Sequence, residues 1–169
     1  SYPDDEIYAL ESMEAVAEAT LSCKRCPLHE NRILSVPGEG CTRRPLVLFI
    51  GEAPGRTENE TGRPFIGRAG KLLRGILKEL DMIDRVFITS VVKCWPENNR
   101  KPHVGEIRAC RPFIERQIQL LDPYVITPLG NTAMDVIMGT KGGISKMRGK
   151  ARWVAAARDG KEYLCIPTV

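Results

Sequence analysis

Apolar positions along this chain follow two periods in turn. Ile7, Leu10, Met13, Ala17 and Leu21 recur at helical spacing and predict one N-terminal helix over residues 5–20. Residues 45–51 (PLVLFIG) are a short apolar run closed by glycine, the pattern of a buried strand. A Gly- and Pro-rich loop follows over residues 52–67, and then Ala69, Leu72, Leu73, Ile76, Leu77 and Leu80 mark an amphipathic helix. A second strand is predicted over 86–92 and a polar loop over 94–102. Ile107, Cys110, Ile114, Ile118 and Leu121 share one face of the next helix. A third strand covers 124–129, and Gly130-Asn131-Thr132 opens a short helix. Segments 151–158 and 161–167 flank Asp159-Gly160, a two-residue turn signal, and predict a closing hairpin. Strands that alternate with helices imply a mostly parallel sheet covered on both faces. Ligands of such sheets bind beyond the C-terminal strand ends, which here lead into Glu52, Lys93 and Gly130.

A length of 169 residues suits a single domain over 1–169, with no internal repeat and no linker long enough to split it. Hydrophobic residues at 43% and charged residues at 27% point to a folded core. The longest apolar run is too short to cross a bilayer. The first twenty residues carry six acids and no Lys or Arg, which argues against a secretory signal and for a cytoplasmic location. The net charge of +4 matters less than its distribution. Residues 61–78 hold Arg63, Arg68, Lys71, Arg74 and Lys78, and residues 141–158 hold Lys141, Lys146, Arg148, Lys150, Arg152 and Arg158, with no acid in either segment. A basic face opposite an acidic N-terminus favours a polyanion such as nucleic acid, although two solvated surfaces leave the same pattern.

The cysteines carry a second signal. Cys23 and Cys26 have CxxC spacing at the end of a predicted helix, Cys94 follows a strand, and Cys110 lies on a helix face. In a reducing compartment metal binding outranks a disulfide framework. Four thiolates suit zinc or an iron–sulfur cluster, while Cys94 and Cys110 can equally be ordinary buried cysteines. Cys41, in a Gly-rich turn, and Cys165, in a strand, read as bystanders.

The loop after the first strand, from Gly51 to Gly67, reads GEAPGRTENETGRPFIG. It is not a phosphate-binding loop, because Leu72 rather than Ser or Thr follows Lys71, and no GxGxxG occurs. Glu52 could serve as a cap and Phe65 as core. A phenyl ring between Pro64 and Gly67 in an open loop is also placed to stack on a flat ring.

In combination these motifs resemble the family 4, iron–sulfur, uracil-DNA glycosylases. The resemblance is carried by GEAPG at 51–55, GRPFIGRAGKLL at 62–73, VVKCWPENNRKP at 91–102, PLGNTA at 128–133 and the cysteines at 23, 26, 94 and 110. It implies a three-layer α/β/α fold with a central, mostly parallel four-stranded sheet. It also implies a 4Fe–4S cluster on Cys23, Cys26, Cys94 and Cys110. The expected activity is flipping of uracil out of double- or single-stranded DNA and hydrolysis of its N-glycosidic bond, by a monomer with no membrane association. The resemblance makes Glu52 the catalytic carboxylate at an oxocarbenium-like transition state and Phe65 the ring that stacks on the base. The Ala53 amide, Glu58, Ser90 and Asn99 become base-pocket positions. The basic, Gly-rich loop with Lys146 and Arg148 and the helix start at Gly130 and Asn131 are candidate DNA phosphate contacts, although a solvated loop has the same composition.

Two departures stand out. Ser90 occupies a position where the family has Asn, and a hydroxyl cannot offer the paired donor and acceptor of an amide. The chain ends at Val169 without the family's His-Pro motif, the expected result of truncation, and neither His29 nor His103 matches that motif. These departures leave room for an alternative reading, a uracil-DNA-binding protein with little turnover.

Overall fold

A computed structural model of the chain describes residues 2–140 and 142–169. Lys141, counted above in the basic segment, lies outside the described residues. The first helical pattern forms two helices rather than one, α1 (Asp4–Tyr8) and α2 (Met13–Leu21). Ser12 breaks them apart: its side chain accepts from the Ala15 amide at 3.0 Å and caps α2, while Arg116 Nε donates to the Leu10 carbonyl at 2.7 Å. The periodicity was continuous because both helices lay their apolar residues on the same helix of the core.

The strands are β1 (Glu39–Gly40), β2 (Val47–Gly51), β3 (Val86–Ser90), β4 (Val125–Pro128), β5 (Arg152–Ala155) and β6 (Glu162–Cys165). They form one sheet of six, in the order β1-β3-β2-β4-β6-β5. The four strands β3, β2, β4 and β6 are mutually parallel. The larger total comes from two antiparallel edge strands, β1 on β3 and β5 on β6. Glu39-Gly40 has no hydrophobic alternation, so no local pattern marks β1. The final hairpin forms in the expected place, but its connection runs from Ala156 to Lys161, with Ala156 and Ala157 buried. Burial of those two alanines ends the pairing before Asp159-Gly160 can close a tight turn.

Helices α5 (Val104–Leu121) and α6 (Asn131–Met138) pack with α1 and α2 on one face, over Leu48, Ile50, Phe87, Ile126 and Cys165. Helix α4 (Arg68–Glu79) covers the other face through Leu73 and Leu77, which meet Phe49, Val86 and Ile88. This is the three-layer arrangement. Only part of the apolar stripe of α4 reaches the sheet: Leu72 is 67% exposed and Ile76 46%. Two short helices, α3 (Arg56–Thr61) and α7 (Ile144–Met147), lie in the loops beyond the strand ends. From β2 the chain steps to β3 on one side and returns to β4 on the other. The order reverses around β2, so the crevice beyond its C-terminal end is where such a sheet presents a ligand site. Gly51, Ser90 and Pro128 end their strands at that edge.

Candidate active site

Two clefts open at this edge, and Phe65 stands between them. The first, about 260 Å³, is lined by Val36, Ala53, Glu58, Phe65, Arg68 and Ser90 among others. The second, about 410 Å³, is lined by Gly51, Glu52, Phe65, Leu72, Leu129 and Val169 among others. The Phe65 ring packs directly against the end of β2. A Cβ on Gly51 would sit 2.4 Å from Phe65 Cζ, so only glycine lets the ring approach. Ser90 is buried and its Oγ faces the same point, 3.5 Å from that added Cβ.

Glu52 follows β2 directly and is half-buried. Thr132, in the first turn of α6, donates from Oγ1 to Glu52 Oε2 at 2.5 Å. The bond crosses the point where strand order reverses and aims the carboxylate from a buried hydroxyl. Thr132 was not singled out in the sequence, although its place in the first turn of a helix that faces Glu52 across two strand ends was readable.

Glu58 serves the backbone. Its Oε1 accepts from Gly55 N at 2.9 Å, and its Oε2 accepts from Ile66 N at 3.0 Å and Gly67 N at 2.8 Å. It lines the first cleft, yet its lone pairs hold two loop segments together. Asn99 is not brought into either cleft: it is exposed in a left-handed conformation (φ 55°), and its Oδ1 accepts from Trp95 Nε1 at 2.7 Å.

The expected phosphate contacts are partly committed internally. The Gly130 amide donates to Thr168 O at 2.8 Å, and Asn131 Oδ1 accepts from Ile144 N at 2.7 Å, which ties the basic loop to the start of α6. Lys146 and Arg148 are exposed beside it. The basic segment on α4 is less open to a polyanion than its composition suggested, because Arg63 and Arg74 both pair with Glu39.

Cys23, Cys26, Cys94 and Cys110 line one small cavity between the end of α2, the loop after β3 and α5. All are free thiols. Burial pushes the Cys110 thiol up to about 12 and raises Cys26 and Cys94 above the ordinary value. Arg32 Nη1 donates to Cys94 Sγ at 3.4 Å, which pulls in the opposite direction. Thiols buried in this way stay protonated until a cationic centre draws the proton off. Among the described residues, no group of three or more His, Cys, Asp or Glu is arranged to hold a single metal ion. Four sulfurs on one tetrahedral zinc must close to roughly 3.8 Å of one another, whereas a polynuclear cluster takes a wider set around a shared cavity. Cys23, Cys26, Cys94 and Cys110 bring four thiol donors to one cavity, the donor set that zinc or an iron–sulfur cluster takes. Cys41 and Cys165 lie outside it.

Behind Ser90 lies a fully buried amine, Lys93, whose burial no local pattern in the sequence marks. Lys93 Nζ donates to Thr89 Oγ1 (2.7 Å), Ser90 O (2.6 Å) and Gln117 Oε1 (2.6 Å), and burial lowers it to about 7. These bonds tie the end of β3 to α5.

Comparison with known proteins agrees with this layout. Residues 37–169 match the family model described as "Uracil DNA glycosylase superfamily". The chain is 43% identical over 165 residues to the Type-4 uracil-DNA glycosylase of Sulfurisphaera tokodaii, covering 94% of this chain and 74% of that protein. It is 47% identical over 141 residues to the Type-4 uracil-DNA glycosylase of Thermotoga maritima, covering 82% of this chain and 73% of the relative. It is 34% identical over 119 residues to the Type-5 uracil-DNA glycosylase of Thermus thermophilus, covering 61% of this chain and 53% of that protein. With the parallel strand ends, the ring over Gly51 and the Glu52 carboxylate in place, these matches establish that the chain belongs to the uracil DNA glycosylase superfamily.

Proposed function

We propose that the chain flips uracil out of DNA and hydrolyses its N-glycosidic bond, leaving an abasic site. The observation that carries the reading is the Phe65 ring seated on Gly51, with Ser90 on one side and Glu52 on the other. Extruding a base costs a few kcal/mol of unstacking, and a fixed aromatic face returns part of that by stacking. Ser90 Oγ and the Ala53 amide are the polar groups offered to the edge of the base. As the bond to the base lengthens, positive charge gathers on the sugar, and the Glu52 carboxylate held by Thr132 stabilises it. Water adds its hydroxyl to C1′, the bonding pair leaves with the base, and the water proton completes the released uracil. Lys146 and Arg148, exposed on the loop that Asn131 ties to the start of α6, would take phosphates beside the flipped nucleotide.

Cys23, Cys26, Cys94 and Cys110 would hold a 4Fe–4S cluster that pins the segment after α2 to the loop after β3. Its contribution is structural. Purified protein should be brown and release iron on acid treatment; a colourless preparation holding zinc would contradict this assignment.

The activity is tested on a uracil-containing oligonucleotide, with alkali used to cleave at abasic sites and a gel shift run on the same strand. Scission dependent on uracil is the expected result. Retarded DNA with no scission would instead establish the binding-only alternative, which Ser90 favours because one hydroxyl matches the base edge less fully than an amide.

A further inference from the structure

We infer that Arg74 is a positioning residue that acts through Phe65, an inference that rests on the stacking reading of that ring. Phe65 is held in the left-handed region, at φ +50°, where a side chain-bearing residue stays only if its surroundings impose it. The surroundings come from two charged groups of opposite sign. On one side Arg74 Nε donates to Phe65 O at 2.8 Å, and Nη2 donates to Pro64 O at 2.6 Å and to Glu39 Oε1 at 3.1 Å. On the other side the Glu58 carboxylate accepts from the amides of Ile66 and Gly67. The cation takes the carbonyl ends of the turn and the anion takes its amide ends, so neither can be reversed without breaking both.

The helix beneath is shaped to the same turn. A Cβ on Gly70 would lie 2.0 Å from Phe65 C and O, so α4 meets the backbone of the ring-bearing residue directly. Glu39 belongs to β1, paired to β3, so the Arg74 fork links α4, the Phe65 turn and the sheet edge. A guanidinium offers five N–H donors in a rigid plane, and three of them are engaged here. A lysine can supply the charge but not the fork.

The test is a double-mutant cycle on the full chain. Affinity is measured for an oligonucleotide carrying a non-hydrolysable 2′-fluoro-deoxyuridine, with melting temperature followed for each variant. Arg74→Met should weaken binding about tenfold when Phe65 is present and by less than about twofold in the Phe65→Ala background. Arg74→Lys should lose nearly as much as Arg74→Met, and it carries the same cycle if Arg74→Met does not fold. Equal losses in both backgrounds overturn the inference alone. So does full retention by Arg74→Lys with a salt slope lowered by about one in Arg74→Met, the signature of a direct phosphate contact. A Phe65→Ala variant that binds as well as the parent overturns the stacking reading and the inference with it.

Discussion

At the scale of single residues, the site depends on side chains that orient others. Thr132 is buried and its hydroxyl meets Glu52 at 2.5 Å. A hydrogen bond to a charged group is worth about 1.5–3 kcal/mol, so Thr132→Val should slow single-turnover excision by at least about tenfold. Thr132→Ser should restore most of that rate, because it keeps the oxygen; equal loss in both variants would show that the methyl group matters instead. Phe65→Ala should weaken uracil capture by about 1–3 kcal/mol, read as affinity for the non-hydrolysable oligonucleotide. Phe65, Glu52 and Ser90 were legible because loop composition and strand ends place them. Thr132 and Arg74 were not: Thr132 meets a carboxylate 80 positions away, and Arg74 reaches back from α4 to the carbonyls of an irregular turn, which no periodic pattern records.

At the scale of elements, α4 and the loop before it form one unit. Gly70 faces the Phe65 backbone, so Gly70→Ala forces a shift of backbone rather than of a flexible side chain. The variant should lower the melting temperature by several degrees, the equivalent of about 1–3 kcal/mol of overpacking, and should weaken uracil capture as well. A second local lock holds α5. Glu106 takes a bidentate pair from Arg100, at 2.8 and 2.9 Å, and the His103 amide at 2.8 Å. These contacts, chiefly the hydrogen bonds from Arg100, hold its carboxyl below the ordinary value of 4.5. A carboxylate with a depressed folded value adds stability above the unfolded value and loses it as pH falls through the folded one. Melting temperature should therefore drop below about pH 4.5 in the parent chain and drop less in Glu106→Gln. The same slope in both proteins would assign the acid sensitivity elsewhere.

At the scale of the molecule, the cysteine cavity and the cleft lined by Ser90 are neighbours joined by Lys93 and the end of β3. Cys110→Ala should abolish bound iron and lower the melting temperature; undiminished iron per chain would exclude Cys110 from the ligand set. DNA affinity should fall with salt, and removal of Lys146 and Arg148 together should reduce the slope of log affinity against log salt by about two. The acidic N-terminus is not opposite all of the basic segment: Arg158 pairs with Asp5 and stacks on Tyr8, and Arg25 takes Asp4.

The amino-acid order alone determined the alternation of strands and helices, the four cysteines, the glycine at the end of β2, and the carboxylate and ring in the loop beyond it. Those features are local, and local chemistry marks them: apolar period, thiol spacing, and residues that tolerate or forbid a turn. Only the tertiary structure decided that β1 and β5 close the sheet edges, that Glu58 binds backbone amides, and that Asn99 turns to Trp95. The same holds for Arg74 and Glu39, drawn out of the basic and acidic tallies into one lock on Phe65. For Glu58 and Arg74 the deciding term is a polar group drawn out of water and in need of a partner, and only the folded turn brings the amides and carbonyls that supply it into reach.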